Sequence, residues 1–271
     1  MTDLRSLNKD RFKQAKRLWT ASIALKVFIF SVGAISVWME KPSHYIPQLL
    51  LVVAVVSELV QWRADVIKSR SESLLRHLDL CRSFPREMSE ADKRDILSYI
   101  PRKIRAKFDA TTIPDTYFVS SNPPGTRRAV ENLVESAWYT RRQSESMVLI
   151  YIALIAAVMV ISIGALMVAS QELGSTSARE GVSKVVTSWL LLIFSLGLVK
   201  NAWSYYKMIQ RCHRAEASGE YLLKGEIAEP DALKQWYEYQ IARASAPLLP
   251  EWLWKVMQPS LDDAWRRGRQ D

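Results

Sequence analysis

Four blocks of apolar residues alternate with charged segments along the chain, and each block has the length of a membrane-spanning helix. A bilayer core needs about 20 mostly apolar residues per helix, within a range of about 17–25. The predicted spans cover residues 19–38, 46–62, 147–169 and 185–203. The third span contains no charged residue, which favours membrane spans over the alternative of four buried helices in a soluble core.

The first apolar block follows a basic N-terminal segment, as the apolar part of a secretory signal peptide does. No small-residue cleavage site follows this block. We therefore predict a helix that stays in the protein, not a cleaved signal peptide.

The distribution of basic residues predicts the orientation of the spans. Residues 1–18, 62–146 and 200–271 hold 6, 16 and 11 lysines and arginines, which is 33 of the 37 in the chain. The two short connections, 39–45 and 170–184, hold only three. Because cytoplasmic segments of membrane proteins keep an excess of lysine and arginine, we expect both termini and the middle segment to be cytoplasmic.

The segments between the spans also have helical patterns, so we predict an all-α membrane protein with two transmembrane hairpins. The predicted division is a basic N-terminal segment with the first hairpin (1–62), a cytoplasmic middle segment (63–146), the second hairpin (147–203) and a cytoplasmic tail (204–271). Helices from three spans continue into the cytoplasm, where their apolar faces need partners. We expect the middle segment to pack against the tail in a mainly helical cytoplasmic region.

Local signals predict where helices of the middle segment begin and end. Ser89 opens a capping-box pattern, and Pro101 ends the element that follows it. Thr126 opens a helix that runs without glycine or proline into the third span.

The C-terminal tail carries an apolar stripe at steps of four residues. Its members are Leu253, Met257, Leu261 and Trp265. One interpretation is an amphipathic helix on the membrane surface. The other is a helix that covers the cytoplasmic bundle, and the periodicity fits both equally.

No catalytic motif is present, so we predict no enzyme activity, no cofactor and no metal site. The sequence lacks a glycine-rich phosphate loop, a His-Glu-x-x-His pattern and a nucleophile elbow. His77 and Cys81 lie one turn apart on one predicted helix, and Cys212 and His213 lie on another. A metal site across these helices is an alternative, but free cysteines are more often buried as small apolar residues.

Two charged residues fall inside the predicted spans. Lys26 in the first span and Glu58 in the second lie at a similar depth, because the two helices are antiparallel. An ion pair between them would reduce the cost of their burial. Alternatively, both side chains reach the membrane surface separately, and a role in a conducting pore is a third interpretation.

Small residues form a ridge on the third predicted span. The ridge consists of Ala153, Ala157, Ala165 and Ala169. Such a ridge permits close contact between helices. We expect packing within one chain, and contact between subunits is the alternative.

The turn before Thr126 is the best candidate for a ligand contact. Gly125 and Thr126 place amide groups at a helix N-terminus beside Arg127 and Arg128, an arrangement suited to a phosphate group. Further positive charge lies nearby in the sequence, at Arg102, Lys103 and Arg105. The alternative is a solvated turn within a basic patch that faces the membrane.

Several short motifs resemble the SMODS-associated four-transmembrane effector family of bacterial CBASS anti-phage systems. These motifs are RFKQAKR at residues 11–17, YFVS at 117–120, ENLVESAWY at 131–139 and PLLPEWLW at 247–254. The resemblance also includes Gly125, Leu261 and Trp265, and it covers most of the chain.

The resemblance implies a multi-pass effector in the bacterial inner membrane. A cyclic oligonucleotide made during phage infection would bind its cytoplasmic region, and assembly or rearrangement of the spans would then breach the membrane. The expected partners are the lipid bilayer, the cyclic oligonucleotide and further copies of the chain, with no nucleic acid polymer. Alternatives are a membrane scaffold that recruits a cytoplasmic protein and a membrane-embedded enzyme.

Overall fold

The computed structural model describes residues 3–37, 45–106, 118–171 and 197–268. These residues form eight α-helices and no strand. The helices are α1 (Leu4–Val37), α2 (Ile46–Ser83), α3 (Glu90–Ser98), α4 (Arg102–Arg105), α5 (Thr126–Gln171), α6 (Leu198–Leu223), α7 (Glu229–Ser245) and α8 (Glu251–Arg267). The predicted all-helical secondary structure is confirmed for the described part of the chain.

Two helix starts lie where the local signals predict them. The side chain of Ser89 accepts a hydrogen bond from the Asp92 amide at 3.1 Å, so Ser89 is the N-cap of α3. Helix α3 ends at Ser98, before Pro101. Helix α5 begins at Thr126 and continues for 46 residues.

The chain divides into two compact units. Unit 1 consists of residues 1–16, 65–145 and 205–271, and unit 2 consists of residues 17–64 and 146–204. Helices α1, α2, α5 and α6 each contribute residues to both units.

Unit 1 has two clusters of buried side chains, in which the middle segment packs against the tail. The first contains Phe84, Ala129, Val130, Val134, Ala232, Trp236 and Trp265. The second contains Leu133, Ala137, Met208, Cys212, Ala215, Tyr239 and Ala242. Helices α5, α6 and α7 therefore share a core, as expected when amphipathic helices bury their apolar faces against one another.

A close approach and a buried ion pair join α5 to α6. A β-carbon at Gly219 would collide with the side chain of Val134, so only glycine lets the two helices come this near. Arg141 donates two hydrogen bonds of 2.8 Å to the carboxylate of Glu216. This two-pronged pair raises the pKa of the arginine and ties the helices in one register.

The apolar stripe of α8 packs inside unit 1. Leu253, Leu261 and Trp265 are buried, and the ring of Trp265 lies 5.2 Å from that of Trp138 on α5. Tyr139 also donates a hydrogen bond of 2.8 Å to Asp262. Of the two interpretations of the stripe, the structure therefore has the one in which the helix covers a helical bundle.

One helical segment in the described part of the chain, Thr126–Val160, is long and apolar enough to cross a membrane. Only 22% of its most apolar stretch is buried. That the chain has four membrane spans stays a prediction. Residues 172–196, which include most of the predicted fourth span, lie outside the described residues.

Candidate functional site

Polar side chains fill the contact between α1 and α2 in unit 2. Ser22 donates to the carbonyl of Ser57 at 3.1 Å, and Ser57 donates to the carbonyl of Ser22 at 3.2 Å. Ser22 also lies 3.1 Å from the amide oxygen of Gln61. Both serines are fully buried, and hydrogen bonds between small residues are typical of helix contacts in membranes.

The two charged residues of the predicted spans face each other. The ammonium group of Lys26 lies 2.9 Å from the carboxylate of Glu58. The lysine side chain is 12% exposed and the glutamate side chain 69% exposed. The pair therefore joins α1 to α2 beside the serine contact, with the carboxylate at the surface of unit 2.

The surface of unit 2 carries large apolar side chains. On α2 they include Leu51, Val52, Val55 and Leu59, and on α5 they include Leu149, Ile152, Leu154 and Val160. Ala153 and Ala157 of the predicted ridge are also exposed. Ala165 and Ala169 belong to α5, but their side chains lie outside what the structure describes.

The predicted ligand turn in unit 1 is held by its own polar groups. The amide of Gly125 donates to the carbonyl of Ser83 at 2.9 Å, so it is not available to a ligand. Glu131 accepts hydrogen bonds from Ser120 and Asn122, and the side chain of Arg127 lies 3.6 Å from it. A phosphate at this turn would therefore compete with Glu131 for Arg127.

The remaining basic residues of the predicted site are only partly connected to the turn. Arg128 is half-buried, and its Nε has no hydrogen-bond partner among the residues that the structure describes. Arg102 and Lys103 are exposed on the short helix α4, and Arg105 follows them. Within the described residues, no hydrogen bond or ion pair joins these three side chains to the turn.

A cavity of about 260 Å³ lies between α1, α2 and α3 in unit 1. Helix α1 contributes Asn8 and Arg11, and α2 contributes Arg70, Leu74 and His77. Asn8 is 4% exposed, and its side-chain oxygen has no hydrogen-bond partner among the described residues. This oxygen is itself buried, so it is enclosed by protein and is not presented to the cavity.

Helix α3 supplies the opposite wall of the cavity. Asp92, Ile96 and Tyr99 lie on its cavity side, together with the exposed Asp95. The guanidinium of Arg70 stacks over the ring of Tyr99 at 4.7 Å from the ring centre. The cavity lining thus combines buried and half-buried side chains with exposed charged and aromatic ones.

Sequence reasoning missed this cavity, although part of its pattern is visible. On α2, Arg70, Leu74 and His77 recur at helical spacing, and on α3 Asp92 and Tyr99 lie two turns apart. These two helix faces carry polar residues where a simple packing face would be apolar. The contribution of α1 is not visible, because it depends on the tertiary contact.

The two cysteines take part in helix packing and not in a metal site among the described residues. Cys212 is buried in the second cluster, and burial raises the pKa of its thiol to about 12, with a further increase from Glu216. The thiolate that would bind a metal is therefore disfavoured. No group of three or more metal-binding side chains occurs among the described residues, and Cys81 is half-buried on α2.

No family model, curated protein or solved structure matches this chain.

Proposed function

We propose that this protein is a four-span effector of a bacterial anti-phage system, located in the inner membrane with both termini in the cytoplasm. In this proposal, a cyclic oligonucleotide binds to cytoplasmic residues, and the spans then breach the membrane, so that the infected cell stops growing or dies. The motifs that resemble those of the SMODS-associated four-transmembrane effector family suggest this role.

The observation that carries the membrane part of the proposal is the apolar surface of unit 2, together with its buried serine contact. Large aliphatic side chains such as Leu149 and Val160 are exposed, whereas Ser22 and Ser57 are fully buried. In water, a contiguous apolar surface of this kind drives association. In lipid it is the expected surface, and the polar groups belong inside, where they find one another.

Unit 1 supports the sensing role, because its helices are packed like those of a water-soluble protein and its surface is basic. Arg127 and Arg128 lie at the start of α5, where helix amides and positive charge favour a phosphate. An anionic second messenger would be attracted to this surface by its charge. The messenger carries phosphates, which suit guanidinium groups in particular.

The breach of the membrane would involve several copies of the chain. Ala153 and Ala157 are exposed on α5 and leave room for a second helix to approach closely. Under this proposal the ridge is a contact between subunits. The number of subunits follows from the size of the complex in detergent before and after the nucleotide is added.

A leakage assay tests the proposal. The purified protein is inserted into liposomes that contain a fluorescent dye, and cyclic dinucleotides and trinucleotides are added one at a time. We expect one nucleotide to release the dye. The double variant Arg127→Glu, Arg128→Glu should abolish release, whereas the control Arg214→Glu, which introduces the same kind of charge change at an exposed position on α6, should not.

The outcomes of the assay separate sensor from effector. Release that survives the double variant would keep the effector and remove the turn as the ligand contact. No release with any nucleotide, in liposomes where insertion has been verified, would reject the effector. The remaining candidate would then be a membrane scaffold that recruits a cytoplasmic protein.

A further inference from the structure

We propose that α2 packs against α2 of a second copy of the chain, and that this contact is present in the resting membrane. The contact face, which we call the α2 seam, consists of Leu51, Val55, Glu58 and Trp62. The inference rests on the proposed function only for the location of unit 2 in the membrane. It requires neither a nucleotide nor a breach of the membrane.

The members of the α2 seam lie on one exposed face of the helix. They are separated by four, three and four residues, a spacing that places side chains in one row along an α-helix. Leu51, Val55 and Trp62 are 67%, 53% and 65% exposed, and the side chain of Glu58 is 69% exposed. The same spacing occurs where two helices pack side by side at a small crossing angle.

Another side of α2 is already covered by α1. Ser57 is fully buried, and its hydroxyl lies 3.3 Å from that of Ser22. Gln61, one turn further along α2, accepts a hydrogen bond from Ser22. The α2 seam therefore lies outside the contact with α1 and is open to a different neighbour.

Glu58 indicates that lipid tails are not what covers the seam. It lies four residues inside the predicted end of its span, a depth of about 6 Å. Its carboxylate could reach the lipid headgroups only by leaving Lys26, whose side chain is 12% exposed. An ion pair broken in this way leaves an uncompensated buried charge, which is costly. Charged side chains within a membrane instead face protein or a water-filled cavity.

A second copy of the chain supplies the neighbour that the ion pair needs. Copies inserted with the same orientation place the same residues at the same depth, so the Lys26–Glu58 pairs of the two chains would meet. Each carboxylate would then have two ammonium groups near it, and the four charges would sum to zero. A single polar position in an otherwise apolar helix seam also fixes the register and the number of chains.

The ion pair, and not the apolar residues, is expected to drive the association. Lipid tails are as apolar as leucine, so Leu51 and Val55 gain little by leaving the lipid. The contact does remove the charges of Glu58 and Lys26 from the lipid. Removal of both charges, while the apolar residues stay, should therefore weaken the contact.

Disulfide cross-linking of the full-length protein in bacterial membranes tests the inference, with no nucleotide added. Cys81→Ala and Cys212→Ala first remove the native thiols. Val55→Cys then places a thiol in the seam. Val56→Cys is the matched control, because it makes the same change at an adjacent exposed position, about 100° around the helix.

The rate of cross-linking with copper phenanthroline as the oxidant is the measured quantity. A disulfide requires the two Cα atoms to lie within about 7 Å, so we expect Val55→Cys to form the cross-linked dimer about tenfold faster than Val56→Cys. The double change Lys26→Met, Glu58→Leu removes both charges and makes the spans more apolar, so insertion is retained. In that background, cross-linking at Val55→Cys should fall to the rate of Val56→Cys.

The outcomes distinguish a failure of this inference from a failure of the proposed function. Equal rates at the two positions, or no cross-link at either, would overturn the second copy as the neighbour of the seam. A fast cross-link at Val55→Cys that survives the loss of both charges would overturn the inference as well, because Glu58 would not be the reason for the contact.

The leakage assay completes the distinction. Seam-specific cross-linking that depends on the ion pair, without dye release by any nucleotide, would keep the contact and reject the effector. Dye release without seam-specific cross-linking would keep the effector and overturn the contact.

Discussion

Units 1 and 2 are both helical, but most of the large aliphatic side chains that are exposed in the described part of the chain belong to unit 2. In unit 1 the buried residues include Trp236 and Tyr205, and the Tyr205 hydroxyl donates a hydrogen bond of 2.8 Å to the Leu248 carbonyl. In unit 2 the buried contact between α1 and α2 is made by Ser22 and Ser57. Secondary structure alone therefore does not indicate whether a helix is suited to water or to lipid. The exposure of its aliphatic side chains is the better indicator.

Two valines make the comparison concrete. Val160 on α5 in unit 2 is 69% exposed, and Val256 on α8 in unit 1 is 73% exposed. The two residues have the same side chain and nearly the same exposure. Under the proposed function, Val160 faces lipid and Val256 faces water, so identical substitutions at the two positions should have different effects.

The largest expected effect is in the core of unit 1. Trp236 is 3% exposed, and Trp236→Ala should lower the free energy of unfolding by about 3–5 kcal/mol, because it removes buried area and leaves a cavity. Thermal unfolding in a mild detergent measures the change. Trp203→Ala in unit 2, where the ring is 56% exposed, is the matched control and should lower it by less than about 1 kcal/mol. Equal losses would mean that protein, not solvent, covers Trp203.

The next effect concerns the surface of unit 2. Val160→Arg places a charge near the middle of the third predicted span and should cost about 2.5–3.5 kcal/mol of insertion free energy. The measurement is the fraction of protein that resists alkaline extraction from membranes. Val256→Arg should leave that fraction unchanged. A similar loss, or no loss, for the two variants would contradict the assignment of lipid to unit 2 and water to unit 1.

Local signals predicted the helix boundaries well, because they depend on a few neighbouring residues. Ser89 caps α3, and α5 begins at Thr126. The depth of Lys26 and Glu58 along antiparallel helices predicted that they could meet, and they lie 2.9 Å apart. Each of these expectations follows from spacing along one helix or from the pairing of two consecutive helices.

Other features depend on contacts between distant segments, which spacing does not specify. The stripe from Leu253 to Trp265 could face the membrane or the core, because its periodicity is the same in both cases. The burial of Asn8 requires α2 and α3 to pack beside α1. Ser22 and Ser57 carry no distinguishing signal, because serine is common on exposed and buried helix faces alike. The candidate turn was predicted from its charges, but its hydrogen bonds to Glu131 were not.

The smallest expected effect is at the polar contact of unit 2. Ser22→Ala and Ser57→Ala should each lower the free energy of unfolding by about 0.6 kcal/mol, the average for hydrogen bonds between membrane helices. Unfolding in mixed micelles with rising denaturing detergent measures the change. Ser31→Ala is the control, because the Ser31 hydroxyl donates to the Val27 carbonyl within its own helix.

The double variant of Ser22 and Ser57 then decides which solvent surrounds this contact. Each hydroxyl donates to the other residue's carbonyl. The loss of unfolding free energy in the double variant should therefore differ from the sum of the losses in the two single variants. Water replaces a lost partner readily, whereas lipid offers none, and this is why polar contacts between membrane helices are retained. If the losses of unfolding free energy in the two single variants simply add up in the double variant, water reaches the serines. That result would contradict the assignment of unit 2 to the membrane.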